Sequence, residues 1–197
     1  RRRHTRYGTV TGVQTCALPI SAVDALYANT PVSTEQILHP NRYPRDIPVP
    51  LVVPEILDEL GDDWREIDRD VLGEWFTFLM LREHLSEEQA ASAAEGWGGD
   101  YFIAFHNDSS GENVLVMASI WDTVSEAHEF YGAFRDYADS RFGDRTHSST
   151  TRSTWESRRA WSSMDIAGDQ TLWVLAPSEE IGERVRELTE FPAEQAD

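Results

Sequence analysis

No lysine occurs anywhere in the 197 residues, and Cys16 is the only cysteine. A lone thiol excludes a disulfide within the chain and a metal site built from several thiolates. Long apolar runs are also missing: none approaches the roughly 18 residues that a bilayer-spanning helix needs. Basic charge is scarce, with 17 arginines set against 35 acidic residues. Such a surface repels phosphate backbones and anionic membranes, so no nucleic-acid partner is expected. An acid-rich, lysine-free chain suits molar salt, where the Debye length shrinks to about 3 Å and carboxylate repulsion is screened. A GC-rich genome would explain the absent lysine but not the acid excess, and we expect a halophilic protein whose stability rises with salt.

The first twenty residues stand apart. Arg1 to Ile20 has no continuous apolar core and no small-residue cleavage site, because Gln14, Thr15 and Pro19 interrupt it, and this excludes a signal peptide. The run Val10 to Ile20 instead resembles the translation of a short-read indexing adapter, and Arg1 to Arg6 resembles the upstream part of the same oligonucleotide. Residues 1–20 are therefore expected to be adapter-derived. Setting them aside removes Cys16 and four arginines and leaves Ser21 to Asp197 with a formal charge of −22.

The remaining pattern predicts a lead-in and proline-rich linker over 21–63 and an α+β domain over 64–197. Val23, Leu26 and Tyr27 read as the end of a helix whose start is missing. Ser33 with Gln36 forms a capping-box pattern for a short helix through about Leu38, which Pro40 stops. Pro44, Pro48, Pro50 and Pro54 then hold the chain extended. "WREIDRD" predicts a strand, with Asp70 capping "VLGEWFTFLMLREHL", a helix apolar on most sides and therefore expected to be central. Ser86 and Gln89 repeat the capping box for the next helix, which Gly98 and Gly99 stop. "YFIAFHN" and "NVLVMASIW" predict a hairpin around "DSSGE". Thr123 and Glu126 cap a long helix with Ala127, Phe130, Tyr131, Phe134 and Ala138 on one face. "TTRSTWESRRAW" reads as a polar strand or loop, "MDIAGDQTLWVLA" as a hairpin around Gly168, and Ile181, Val185 and Leu188 mark the last helix. The order β-α-α-β-β-α-β-β-α predicts an antiparallel sheet with helices packed on one face.

Most chemistry-bearing motifs reduce to structure. "HEFYG" at His128 lacks the second histidine of a zinc-peptidase helix, since Gly132 stands there. His84 with Glu83, Glu87 and Glu88 straddles the helix break at Ser86, which spoils a rigid ligand spacing. The glycine pair of "EGWGGD" lies between helix and strand, the reverse of the order in phosphate loops. The tryptophans, among them Trp64, Trp75, Trp121, Trp155, Trp161 and Trp173, read first as core area.

The segment Thr30 to Pro44, "TPVSTEQILHPNRYP", resembles one in an uncharacterised group of extracytoplasmic proteins found as haloarchaeal surface proteins and in some bacteria. Pro31, Ser33, Thr34, Glu35, Gln36, His39, Pro40 and Tyr43 carry the match, and "LGEWFTFLML" and "AAEGWGGDYF" extend it. Members of that group resemble His-Glu-x-x-His zinc metallopeptidases. The resemblance implies that the metal-binding helix belongs upstream of Ser21. The chain is then the noncatalytic C-terminal fragment of a secreted or surface metallopeptidase-like protein, flanking a metal site it lacks. Its partner would be the missing upstream catalytic region. Zinc is expected for the complete parent, with no metal or other cofactor in this fragment. Glu35 and His39, four apart, are candidates for accessory catalytic roles, orienting substrate or stabilising charge beside the metal; the structural alternative is that both serve helix ends. The alternative for the whole chain is an independent surface binding module or a structural cell-surface domain. Deprived of its partner, the lead-in is expected to be loosely anchored.

Overall fold

The computed structural model describes residues 24, 27–158, 160–189 and 191. The adapter-like segment 1–20 and the expected helix residues Val23 and Leu26 lie outside the described residues. From Thr34 on, the elements are α1 (Thr34–Leu38), α2 (Leu57–Leu60), β1 (Trp64–Asp70), α3 (Gly73–Arg82), α4 (Glu87–Ala94), β2 (Trp97–Asn107), β3 (Asn113–Trp121), α5 (Val124–Phe142), β4 (Arg145–Ser148), β5 (Arg152–Glu156), β6 (Trp161–Ala167), β7 (Gln170–Ala176) and α6 (Glu179–Leu188). The strands form one sheet in the order β1-β2-β3-β7-β6-β5-β4, and every neighbouring pair is antiparallel. The α+β architecture with an antiparallel sheet under helices is thus the observed fold. Between β3 and β4, α5 crosses the sheet and starts the far edge, from which β4 to β7 return strand by strand until β7 pairs with β3.

Local chemistry sets these boundaries. The Thr123 and Ser178 hydroxyls accept the Glu126 and Ile181 amides at the starts of α5 and α6, and Ser86 with Gln89 completes a reciprocal capping box on α4. In the β2–β3 turn the Asn107 side chain accepts the Ser109 and Ser110 amides at 3.0 and 2.8 Å. The expected Asp70 cap of α3 is displaced. Asp70 accepts only the Val71 amide, whereas Asp100 on β2 accepts Leu72 N and Gly73 N at 2.8 and 2.9 Å. A carboxylate from a neighbouring strand reaches the helix start more directly than the one at the end of β1.

The two faces of the sheet are packed differently. On one, Met117, Trp121, Trp155, Met164 and Trp173 meet Phe130, Phe134 and Tyr137 of α5, with Leu81 of α3 and Ala90 and Ala93 of α4 alongside. The other carries Ile103, Phe105, Val114, Val116, Leu172 and Val174, covered by Leu51, Ile56 and Leu60 from the lead-in and by Val185 of α6. The last helix therefore takes the face opposite α3, α4 and α5, which corrects the expectation of helices on one face only: the second apolar face of the sheet also needs a cover. Gly182 lets it approach: a Cβ there would meet the Trp161 ring at 2.1 Å. Trp97, Trp121, Trp155, Trp161 and Trp173 are all core residues. Four of their indole N–H groups have partners, in Asp100, Thr171, Asp139 and Ser162, as buried tryptophans require.

Further expectations change. Helix α3 is peripheral, with Trp75 40% and Phe76 55% exposed; its all-round apolar surface faces α1 and α4 as well as the core. The lead-in is also held by more than its proline stretch. Val49 N donates to Gly98 O at 2.8 Å, and a Cβ on Gly99 would meet Val49 O at 2.5 Å. The glycine pair expected to stop a helix is instead a bulged strand start against which the lead-in backbone lies.

Candidate functional site

The residues singled out by sequence lie where α1 meets α3. Ser33 caps α1 through the Gln36 amide at 3.2 Å. The Gln36 side chain reaches further, accepting Val32 N at 2.9 Å and donating to Asp46 O, which folds the following loop back on the helix. Thr34 Oγ1 accepts the Trp75 amide at 3.2 Å and fills the space where a Cβ on Gly73 would stand. These contacts fix α1 across the start of α3.

Glu35 lies on α1 and His39 caps its end, and the two turn to different neighbours. Glu35, 1% exposed, is hydrogen-bonded by Arg42. Arg42 also lies 3.3 Å from Asp122 and 3.8 Å from both Asp46 and Glu95. One guanidinium therefore joins the lead-in to the end of α4 and the start of α5. Burial raises the Glu35 pKa to about 7, and repulsion from Asp46 adds to it, outweighing the Arg42 hydrogen bond. Asp122 is raised for the same leading reason. His39 Nε2 meets Glu74 Oε1 of α3 at 2.8 Å. Glu74 is 4% exposed, and its second oxygen, Oε2, is buried without a hydrogen-bond partner.

Beside the His39–Glu74 pair runs a groove of about 400 Å³, lined by Leu38, His39, Glu74, Trp75, Phe78 and Glu95 among others. The Trp75 and Phe78 rings stand 5.3 Å apart, tilted by 32°. A larger groove of about 460 Å³ lies between residues 47–53 and the first residues of β2. Its buried acid, Asp100, already has three donors in Leu72 N, Gly73 N and the Trp97 indole; burial still raises its pKa to about 6. The smaller groove holds the unsatisfied chemistry.

The expectation that this fragment has no place for a metal is corrected by the same geometry. Glu35, Asp46 and Asp122 each offer a carboxylate oxygen, all within 4.8 Å of one another. The donors come from α1, the loop after it and the turn before α5, residues far apart in sequence that only the docked lead-in assembles. An oxygen-only set suits a hard cation such as calcium, magnesium or manganese better than zinc. Arg42 already supplies positive charge at this position.

His128 is exposed on α5, as its missing partner histidine implied, and His84 is an exposed residue whose ring stacks edge-on near Tyr137. Sequence reasoning missed Arg42, Asp46, Glu74, Glu95 and Asp122. Arg42 lies inside the quoted "HPNRYP", seven residues after Glu35 and four before Asp46, a signal that could have been used; its pairing with Asp122, eighty residues on, could not.

A family model described as "Domain of unknown function (DUF8575)" matches residues 59–186. The match includes Glu74, Trp75, Phe78, Glu95 and Asp122 and stops short of α1 and Arg42. No curated protein matches the chain. The crystal structure of the extracellular domain of PknH from Mycobacterium tuberculosis is similar at a TM-score of 0.43 and 12% identity, over 71% of this chain and 95% of that one. A likeness so loose carries no argument. Among the described residues no helix is long and apolar enough to cross a membrane.

Proposed function

We propose that this chain, which belongs to the DUF8575 family, is a noncatalytic binding module, with the groove between α1, α3 and α4 as its ligand site. The observation that carries this reading is the placement of Glu35 and His39. Glu35 is engaged in an ion pair with Arg42 and His39 in a hydrogen bond with Glu74, and both contacts hold the lead-in to the body. Residues so committed act first as struts for the groove wall. The groove itself offers an aromatic side, an acidic end and a buried carboxylate oxygen with nothing to bond.

An extracytoplasmic or surface location, and a role flanking a zinc peptidase centre, rest on the resemblance carried by residues 30–44 and extended by "LGEWFTFLML" and "AAEGWGGDYF". The oxygen triad favours a second reading, a divalent cation that helps Arg42 staple the lead-in. Incubating the purified chain with a mixed peptide pool tests the main reading. Retention of peptides with no cleavage, with or without zinc, is expected. Zinc-dependent cleavage that disappears in Glu35→Gln or His39→Ala would replace it with the accessory-catalytic role.

A further inference from the structure

The groove has a chemical polarity that defines what it takes. Its side is aromatic, from Trp75 and Phe78, its rim includes Leu38 and Ala91, and its charged groups are Glu74, Glu95 and His39. Glu74 is the informative one. A buried carboxylate oxygen without a donor costs free energy in the empty state, and here Oε2 is such an atom on a residue 4% exposed. Two donors of this region are committed already: His39 bonds Oε1 of the same carboxylate, and Arg42 is bound among Glu35, Asp46, Glu95 and Asp122.

Resting on the binding-module reading, we propose that the groove docks the side chain of a lysine presented by an extended partner polypeptide. Its four-carbon stem lies against Trp75 and Phe78, and its ammonium bonds the Glu74 carboxylate, whose buried Oε2 turns towards the groove to accept it. Three features select this occupant. The stem and head of lysine match an apolar wall ending in an acid, and an ammonium gains further from the faces of aromatic rings. Phe78 is already used this way within the chain, where the Arg82 guanidinium lies 5.8 Å from its ring centroid. Arginine fits less well, because its planar fork pairs best with both oxygens of a carboxylate and Oε1 is occupied by His39. The chain itself contains no lysine and carries a large acid excess, so a basic partner is favoured over a second copy of the same chain.

The test measures binding of fluorescent pentapeptides, glycine on either side of a central lysine, arginine, glutamine or norleucine, by polarisation with the full chain. Lysine is expected to bind best, with arginine weaker by about threefold and glutamine and norleucine by tenfold or more. Trp75→Ala, at a half-exposed position, should lower lysine-peptide affinity about fivefold with an unchanged melting temperature. Glu74→Gln should abolish the preference of lysine over norleucine. Should Glu74→Gln fail to fold, the Trp75→Ala result and the peptide ranking still decide. Equal binding of lysine and norleucine peptides, or no lysine binding at millimolar concentration, overturns the proposal. Equal affinity for free 1,5-diaminopentane would overturn the polypeptide source. If other peptides are retained while lysine peptides are not, the binding-module reading survives and only this assignment fails; zinc-dependent cleavage of the peptides would remove the module reading instead.

Discussion

Two hubs hold this molecule, one around Phe134 and one around Arg42, and they are built from opposite physics. Phe134 is fully buried, with the rings of Phe130, Tyr137, Trp155 and Trp173 between 5.2 and 6.0 Å away. Arg42 retains some exposure and gathers four carboxylates. The aromatic hub ties α5 to the sheet by buried area and is indifferent to pH. The charged hub ties the lead-in to α4 and α5 by electrostatics, and its strength depends on which acids are ionised. A fold joined to its own N-terminal segment in this way can change the grip on that segment without loosening its core.

The largest effect should come from emptying the aromatic hub. Phe134→Ala is expected to cost about 3–5 kcal/mol of global stability, equally at pH 8 and pH 5, read by urea unfolding. Arg42→Ala should cost about 2–3 kcal/mol at pH 8, below the full loss for a broken buried ion pair because the site is partly solvated. That loss should shrink at pH 5, where Glu35 is protonated. An equal cost at both pH values would erase the distinction between the hubs.

The wild-type chain should itself respond to acid. Folding raises the Glu35 pKa from 4.5 to about 7 and the Asp100 pKa from 3.8 to about 6. The folded state therefore binds protons more readily than the unfolded chain, and stability grows as pH falls from about 7 towards 5 and is lost as pH rises through 7. Glu35→Gln should flatten that rise and leave the part that comes from Asp100 and the other buried acids with raised pKa, Asp122 and Asp165. A wild-type stability that declines from pH 7 to pH 5 would contradict the assignment. Gly99→Ala should act on the lead-in, since the new Cβ would press on Val49 O. About 1–3 kcal/mol of local strain is expected, seen as faster proteolysis near residues 47–51 with the near-ultraviolet signal of the core retained. Calcium should have the smallest effect, raising the melting temperature slightly in wild type and more in Arg42→Gln, where the three carboxylates lose their guanidinium. No difference between the two would count against the cation reading.

The body of the fold was legible because its signals are local. Ser33, Ser86 and Thr123 announce their helices within three residues, "DSSGE" and Gly168 mark tight turns, and the spacing of Phe130, Phe134 and Ala138 gives the buried stripe of α5. What escaped depends on residues distant in sequence. Strand β4 is four residues long and largely exposed, with no apolar alternation to betray it. Helix α3 reads as central because its pattern cannot say that one apolar face meets α1 and a groove. Glu35 and His39 stand out in the sequence, but their partners Arg42 and Glu74 do not: an ion pair leaves no periodicity, and the His39–Glu74 contact exists only once α1 is laid over α3.

The strand order has a kinetic consequence. β1 to β3 and β4 to β7 are two meanders, each built from neighbours in the chain, and the single seam that merges them pairs Leu115 with Leu175 and Met117 with Trp173. Closing that seam fixes the ends of a loop of more than fifty residues before the contacts that reward it exist. The rate-limiting event in folding is thus expected to be the meeting of two preformed halves, with α5, the segment that spans them, already laying its aromatic row across the junction. Mutations at the seam should slow folding, whereas those at the Arg42 hub should chiefly speed unfolding.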